Sequence, residues 1–301
     1  MRALITGAGG FAGRHLAAHC RASGDEVVEV SRTTGVDLLD PQAARGAVAA
    51  ARPEAVYHLA ARAHVGESWA DPGSFLADNL GLALNVLEAV RSEAPEATVV
   101  AVASGEVYGA PASLPVDEGA PLRPQNPYAV SKAACDLLGG QYADATDLRV
   151  VRLRPFNHTG PGQSDDYVVG TLTRQVAEAE AAGRDEAVVQ TGNPDSARDF
   201  SDVRDVVRAY VAAARLDAGV YNVASGHAVS VRELIELVRA AARIPVRHEI
   251  DPARMRAHDV AEVRGSAERL RAATGWAPQI PLERTVADAL EAWREELGAT
   301  R

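Results

Sequence analysis

Short apolar runs rich in β-branched residues alternate with longer segments of helical spacing through the first half of the chain. Ala3-Thr6, Val27-Val30, Ala55-Leu59, Thr98-Ala103 and Leu148-Leu153 read as strands, and Phe11-Ser23, Asn79-Arg91 and Pro127-Ala143 as helices. That alternation is the pattern of a parallel sheet covered by helices on both faces, so it predicts a doubly wound α/β domain. Beyond Pro155 the rhythm loosens: a Gly/Pro-bearing loop runs from Asn157 to Gln163, a helix is expected over Gly170-Ala182 and a short strand over Ala187-Gln190. Ser230-Val231-Arg232-Glu233 reads as a capping box at the head of a helix running towards Arg243. Val246-Ile250, Ser266-Thr274 and Leu282-Leu297 add one strand and two helices, enough for a smaller C-terminal α/β lobe. The expected organisation is therefore residues 1–154, completed by part of 200–225, followed by a lobe over 155–301.

The chain has 301 residues, 47% of them apolar, and a net charge of −10. This is a globular composition, and its acidic balance argues against broad nucleic-acid binding, which needs basic surfaces. An anionic ligand must be held locally. No segment approaches the ~20 apolar residues of a membrane span and Met1-Arg2 runs straight into a strand, so a cytoplasmic protein with no membrane partner is expected. Cys20 and Cys135 lie in alanine-rich helical stretches without metal or disulfide spacing and read as core fillers. His15 and His19 share a helical face without an evident third ligand, and read as surface residues rather than a metal site.

Candidate chemistry starts at Thr6-Gly7-Ala8-Gly9-Gly10-Phe11-Ala12-Gly13, which follows the first strand and opens the first helix. Gly7, Gly10 and Gly13 are spaced to let the chain turn tightly, bring backbone N–H groups near a pyrophosphate and aim a helix N-terminus at its charge. The end of the second strand decides the dinucleotide. An acidic residue there would hold a free ribose 2′-hydroxyl, but this chain has Ser31-Arg32. An arginine beside a hydroxyl suits a 2′-phosphate, which favours NADP(H) and leaves NAD(H) possible.

Of the 31 lysines and arginines, only Lys132 is lysine. A guanidinium is planar and keeps its proton, whereas an ammonium is a compact charge with three rotatable donors, so one exception in an arginine-rich chain points to a site that needs the second kind of cation. Asn126 can cap a helix with Pro127 at its first position, placing Tyr128 in the first turn and Lys132 one turn later on the same face. A nearby ammonium and the positive helix end would favour the phenolate of a residue whose ordinary pKa is ~10. Ser104 lies at the carboxyl end of the strand Thr98-Ala103, where parallel sheets bind ligands. Its hydroxyl can hold a carbonyl oxygen while Tyr128 moves the proton and a nicotinamide exchanges hydride with the same carbon.

With Gly7-x-x-Gly10-x-x-Gly13, His58-Leu59-Ala60-Ala61, Ser104-Gly105-Glu106-Val107-Tyr108-Gly109 and Tyr128-x-x-x-Lys132 in this order, the chain resembles the extended short-chain dehydrogenases/reductases that act on nucleotide sugars. Val65-Gly66-Glu67-Ser68-Trp69, Arg154-Pro155-Phe156-Asn157-His158-Thr159-Gly160-Pro161-Gly162-Gln163 and Gly192-Asn193 with Arg198-Asp199-Phe200 most resemble the GDP-mannose dehydratase and GDP-4-keto-6-deoxymannose reductase branch. The resemblance implies a Rossmann domain with a substrate-binding lobe, a catalytic triad of Ser104, Tyr128 and Lys132, and Lys132 on the nicotinamide ribose. It implies cofactor contacts at Phe11, Leu59, Ala60, Ala61 and Pro155, with Asp37 and Leu38 embracing the adenine. The nucleotide of the substrate would meet Asn157, Arg198, Arg256 and Asp259, although the family's usual Arg-Pro is here Arg256-Ala257. A homodimer through the Asn79-Arg91 and Pro127-Ala143 helices is also implied.

Glu106 leaves the reaction open. The 4,6-dehydratases of this family carry a glutamate at the matching position, usually beside an Asp or a hydroxyl residue, and here the neighbour is Gly105. Glu106 is thus an acid/base candidate or a structural residue of the turn. The compact length and the Gly10-Phe11-Ala12-Gly13 loop look more like the reductase branch. The leading expectation is an NADPH-dependent reductase of a nucleotide-linked 4-keto-6-deoxyhexose, GDP-linked by preference. A 4,6-dehydratase, a 4-epimerase and a non-catalytic cofactor-binding sensor are the alternatives, in that order.

Overall fold

The computed structural model describes residues 1–255 and 260–299. In chain order the first half runs β1 (Arg2–Thr6), α1 (Phe11–Ala22), β2 (Glu26–Val30), α2 (Pro41–Ala51), β3 (Ala55–His58), α3 (Val65–Ala70), α4 (Pro72–Glu93), β4 (Thr98–Val102), α5 (Pro127–Ala145) and β5 (Arg149–Pro155). The second half continues with β6 (Asn157–Thr159), α6 (Val168–Ala181), β7 (Ala187–Thr191), β8 (Ala197–Asp202), α7 (Val203–Ala213), β9 (Gly219–Val223), β10 (Ala228–Ser230), α8 (Val231–Ala241), β11 (Val246–Ile250), β12 (Glu262–Val263), α9 (Glu268–Thr274) and α10 (Leu282–Ala299).

Six strands form one parallel sheet in the order β2-β1-β3-β4-β5-β9. Successive residues of a strand face opposite sides, and the two covering layers follow from that. Ala3 and Ile5 point towards Leu16 and Cys20 of α1 and Val206 and Tyr210 of α7. Leu4 points the other way, with Val48 of α2 and Val86 and Val90 of α4. The chain leaves β1 towards β2 and then crosses to β3 on the opposite side, so a crevice opens between the carboxyl ends of β1 and β3. The glycine loop lies there.

The second core joins Leu172 and Val176 of α6, Leu234 and Val238 of α8 and Val286 and Leu290 of α10. Its strands are short: β10-β8-β12, with β6 also on β8, and β7 beside β11. Asp199 of β8 fastens this lobe to the sheet: its buried carboxylate accepts from the backbone of Ser225, Gly226 and Gly265 at 2.8–3.1 Å and from the Ser225 hydroxyl at 2.6 Å. Burial still holds this carboxyl above its ordinary pKa, the hydrogen bonds pulling the other way. The Ser230–Glu233 capping box opens α8 as its spacing predicts.

Several features depart from the sequence expectation. The helix expected to open at Asn79 starts at Pro72, where Asp71 caps the Ser74 N–H at 3.2 Å. Asp40-Pro41, which no expected element contained, caps α2, with Asp40 accepting from the Gln42 N–H at 2.8 Å. His15 is not a bare surface residue: its Nε2 lies 2.9 Å from the Pro161 carbonyl, and Arg14 donates to the Gly162 carbonyl at 3.1 Å, so α1 grips the loop after β6. Among the described residues no helix is long and apolar enough to cross a membrane, and no group of three His, Cys, Asp or Glu side chains gathers for a metal.

Candidate active site

The three glycines do different work at the head of α1. Gly7 has φ of +72°, and a Cβ there would lie 2.7 Å from the Ala60 amide nitrogen. A Cβ on Gly13 would lie 2.2 Å from the Gly7 carbonyl oxygen, and one on Gly10 3.2 Å from it. The loop therefore folds only with glycine at Gly7 and Gly13 and packs directly on the Leu59-Ala60-Ala61 stretch after β3. Gly10 caps α1 without any side-chain hydrogen bond, and no acidic residue stands in the first turn. The helix thus presents uncapped N–H groups and a positive end to an anion, which fits a dinucleotide pyrophosphate.

Thr6 and His58 staple this loop. Thr6 Oγ1 accepts from the Ala60 N–H at 3.2 Å and lies 2.9 Å from His58 Nδ1. Burial, reinforced by the charge of Lys132, pulls the His58 pKa from 6.5 down to about 3. The fold therefore needs the neutral ring: stability present above pH 6.5 is lost as pH falls towards 3. His58→Gln, which can still meet Thr6, should flatten the acid limb of stability against pH by close to one proton, about 1.4 kcal/mol per pH unit. Urea unfolding at stepped pH reads the difference, and parallel curves would contradict the assignment.

At the far end of β2, Ser31 caps a short turn by accepting from the Thr34 N–H. Arg32 follows with an exposed guanidinium that pairs with no carboxylate among the described residues. No acid stands at this strand end, so the residues present fit a 2′-phosphate. Asp37 is committed to the Leu39 N–H at 3.0 Å, and the Leu38 side chain is buried in the core, so at this point the adenine would meet backbone and the edge of the turn rather than the Leu38 side chain.

The reacting groups converge from β4 and α5. Asn126 Oδ1 accepts from the Ala129 N–H at 2.8 Å and Pro127 occupies the first helical position, so α5 starts as its spacing predicts. Ser104 is the N-cap of a 3-10 turn over Gly105–Tyr108, accepts from the Glu106 N–H at 3.2 Å and has its hydroxyl set against the Tyr128 phenol, on whose pKa it acts. Gly109, at φ of +61°, lets the Arg123 carbonyl pass where a Cβ would stand, returning the chain to Asn126, whose Nδ2 donates to Glu106 Oε2 at 3.4 Å. Ser104, Glu106 and Tyr128 are thereby brought together.

Lys132 behaves differently from the expectation. Its ammonium is buried and donates to the Val102 carbonyl at 2.5 Å, in a pocket shared with His58, Asn79, Cys135 and Asp136. Burial lowers its pKa, opposed by Cys135 and Asp136. The phenol of Tyr128 is raised, not lowered: burial dominates, the Ser104 hydroxyl partly offsets it and the Glu106 carboxylate adds to the rise. Desolvation outweighs the cation here, and the ammonium is turned onto a carbonyl rather than onto the phenol. Asn79 supports the arrangement from α4, donating to Ser131 Oγ at 2.8 Å, while Ser131 donates to the Tyr128 carbonyl at 2.7 Å. Asn79 had no local signal beyond a polar position on an apolar helical face.

Of the residues expected to meet the substrate nucleotide, Asn157 is exposed on β6, in register with Phe200 of β8. Arg198 is half-buried on β8, with Nη1 donating to the Val260 carbonyl at 2.7 Å. Arg256 and Asp259 lie outside the described residues. Pro155 ends β5, directly before Phe156, which stacks on Tyr108. Phe11 stacks at 6.1 Å on His158, so the head of α1 and the residue after Asn157 share one wall.

Comparison with known proteins agrees with this geometry. The family described as GDP-mannose 4,6 dehydratase matches residues 32–289. The chain is 39% identical to a GDP-6-deoxy-D-mannose reductase of Pseudomonas aeruginosa over 98% of each chain, and 30% identical to a UDP-glucose 4-epimerase of Mycolicibacterium smegmatis over 98% of this chain and 99% of that one. The structure of RMD from Pseudomonas aeruginosa complexed with NADPH superposes with a TM-score of 0.88 at 37% identity, covering 98% of this chain and 100% of that one.

Proposed function

Because the chain belongs to the extended short-chain dehydrogenase/reductase family, in its GDP-mannose 4,6-dehydratase branch, we propose that it is an NADPH-dependent reductase of a GDP-linked 4-keto-6-deoxyhexose. The observation that carries reduction over dehydration is the turn after β4. Water loss needs a base for a carbon-bound proton and an acid for the departing hydroxyl. Glu106 stands beside Tyr128, but the adjoining Gly105 offers no second group, and a Cβ there would lie 3.0 Å from the ring of Phe156. A carbonyl oxygen set against Ser104 and Tyr128 finds one hydrogen-bond donor and one proton donor, which is what reduction requires.

Bound at the glycine loop, the reduced dinucleotide supplies the hydride. Ser104 polarises the C4 carbonyl, and Tyr128, kept protonated by its burial, gives its proton to the oxygen as negative charge develops there. Lys132, compact and buried, holds the ribose hydroxyls from its place on the Val102 carbonyl. The unit over 1–154, with β9 at its sheet edge, holds the cofactor. The lobe over 155–301 receives the nucleotide through Asn157, Arg198, Arg256 and Asp259. We place the enzyme in the cytoplasm as a homodimer, whose interface is the apolar stripe Leu76, Leu80 and Leu84 of α4 with Val130 and Leu137 of α5, all exposed in the single chain.

The cofactor preference rests on Arg32. Arg32→Ala should raise KM for NADPH about 10- to 100-fold, the worth of a charge-assisted phosphate contact, and leave KM for NADH within about twofold. Equal effects on both would show that the side chain does not meet the 2′-phosphate.

The function itself is tested by supplying GDP-4-keto-6-deoxymannose and NADPH. One NADPH consumed per sugar reduced is expected. Conversion of GDP-mannose to a keto sugar without net cofactor use would instead establish a dehydratase, the reading that Glu106 favours. Interconversion of hexose epimers would establish an epimerase, and NADPH binding without any turnover a sensor.

A further inference from the structure

Behind the reacting groups lies a run of buried polar side chains that meets neither the glycine loop nor the residues assigned to substrate. Arg154 of β5 donates from Nη2 to Asp136 Oδ2 at 2.6 Å, from Nε to Asp136 Oδ1 at 3.3 Å and from Nη1 to the Tyr108 hydroxyl at 2.9 Å. Tyr108 donates onward to Asn222 Oδ1 at 2.7 Å. Asn222, on β9, donates its side-chain amide to the Val116 carbonyl at 3.1 Å and its backbone N–H to Glu118 Oε1 at 2.7 Å. Asp136, Arg154, Tyr108 and Asn222 are all at most 5% exposed.

The placement of the two ends matters more than the number of bonds. Asp136 lies one turn beyond Lys132 on α5, the helix that carries Tyr128. Tyr108 closes the 3-10 turn that Ser104 opens and on which Glu106 sits. Arg154 therefore ties the serine's turn to the tyrosine's helix from below, and its guanidinium also lies 5.2 Å from the centre of the Tyr108 ring. On the ligand side the two elements meet at the long Asn126–Glu106 contact of 3.4 Å, with the Ser104 hydroxyl set against the Tyr128 phenol. A substrate carbonyl must enter between these two hydroxyls. A buried ion pair is an uneconomical source of stability against apolar packing, whereas a fully bonded buried network fixes geometry stiffly.

We propose that the chain Asp136–Arg154–Tyr108–Asn222 is a positioning device for reduction, holding Ser104 and Tyr128 at the spacing a carbonyl oxygen needs when it enters between them. None of the four is among the residues assigned to substrate or cofactor. They act through the turn and through α5. The inference rests on the reductase reading above.

Tyr108→Phe tests it, since this change keeps the ring stacked on Phe156 and removes a single hydroxyl. The expected result is a fall in kcat of about 10- to 100-fold, with KM for NADPH and for GDP-4-keto-6-deoxymannose within about twofold. Asn222→Ala should lower kcat similarly, and the double variant should be little worse than either, because both break one series of contacts. If Asn222→Ala does not fold, Tyr108→Phe decides alone. A kcat within twofold of wild type in Tyr108→Phe, whatever its melting temperature, would overturn the positioning role, as would a rise in KM at constant kcat. A wild-type protein that leaves NADPH unconsumed would overturn the reductase reading instead.

Discussion

Tyr128→Phe should lower kcat for keto-sugar reduction about a thousandfold, within the range for loss of a general acid, with both KM values little changed. The phenol is the group set against Ser104, and its residue is held at the head of α5 by the Asn126 cap and by Ser131 on its own carbonyl. Removing the hydroxyl leaves ring packing and helix start intact, so the loss falls on the transition state rather than on binding. Burial fixes the sign of the pH dependence. A phenol held above its ordinary value of 10 is protonated throughout the neutral and mildly alkaline range, so kcat/KM for reduction should show no fall from this group up to pH 10. An alkaline fall with an apparent pKa near 7 would mean that another group donates the proton. The oxyanion forming at C4 is a stronger base than a phenolate, so even a reluctant phenol gives up its proton as charge develops.

Lys132→Arg should be almost as damaging, about a hundredfold to a thousandfold in kcat, although it conserves charge. Lys132 is 6% exposed, with its ammonium bonded to the Val102 carbonyl and its pocket walled by His58, Asn79 and Cys135. A guanidinium is planar and larger, and its donors lie in a fixed fork, so it cannot serve Val102 and a ribose from the same point. Forcing it in overpacks the pocket at a cost of about 1–3 kcal/mol. The melting temperature should therefore drop by some degrees while the circular dichroism spectrum stays native. Near-full activity would show that the single lysine reflects codon usage and not chemistry.

How far the chain announces its own structure differs between elements for physical reasons. β1, β3 and β4 were legible because each is a short apolar run buried on both faces and bounded by loop residues. α5 was legible from Asn126-Pro127, a cap that works locally and needs no tertiary partner. α7 and β9 went unread as elements. α7 carries a helical signal that was overlooked, with Val203, Val206, Val207 and Tyr210 on one buried face behind the Asp202 cap, while Arg204, Asp205 and Arg208 pair with Asp202, Asp288 and one another. β9 carries a fully buried polar residue, Asn222, whose partners come from distant segments.

The same division holds in the site. Tyr128 and Lys132 could be set on one helical face from spacing alone. Which way the phenol shifts depends on how much water the fold removes, and burial reverses the expected direction. Arg154 and Asp136 are widely separated along the chain and become partners only when α5 packs on β5. Leu38, placed by resemblance against the adenine, spends its side chain in the core below.

The most direct test of a reductase is where the hydride goes. NADPH carrying deuterium in the transferred position should yield a 6-deoxyhexose with one deuterium at C4 per NADPH oxidised, read by mass spectrometry and proton NMR of the released sugar. A product without deuterium at C4, formed with the labelled cofactor intact, would contradict the account: hydride would then be leaving and returning within one nucleotide sugar, as in dehydration or epimerisation.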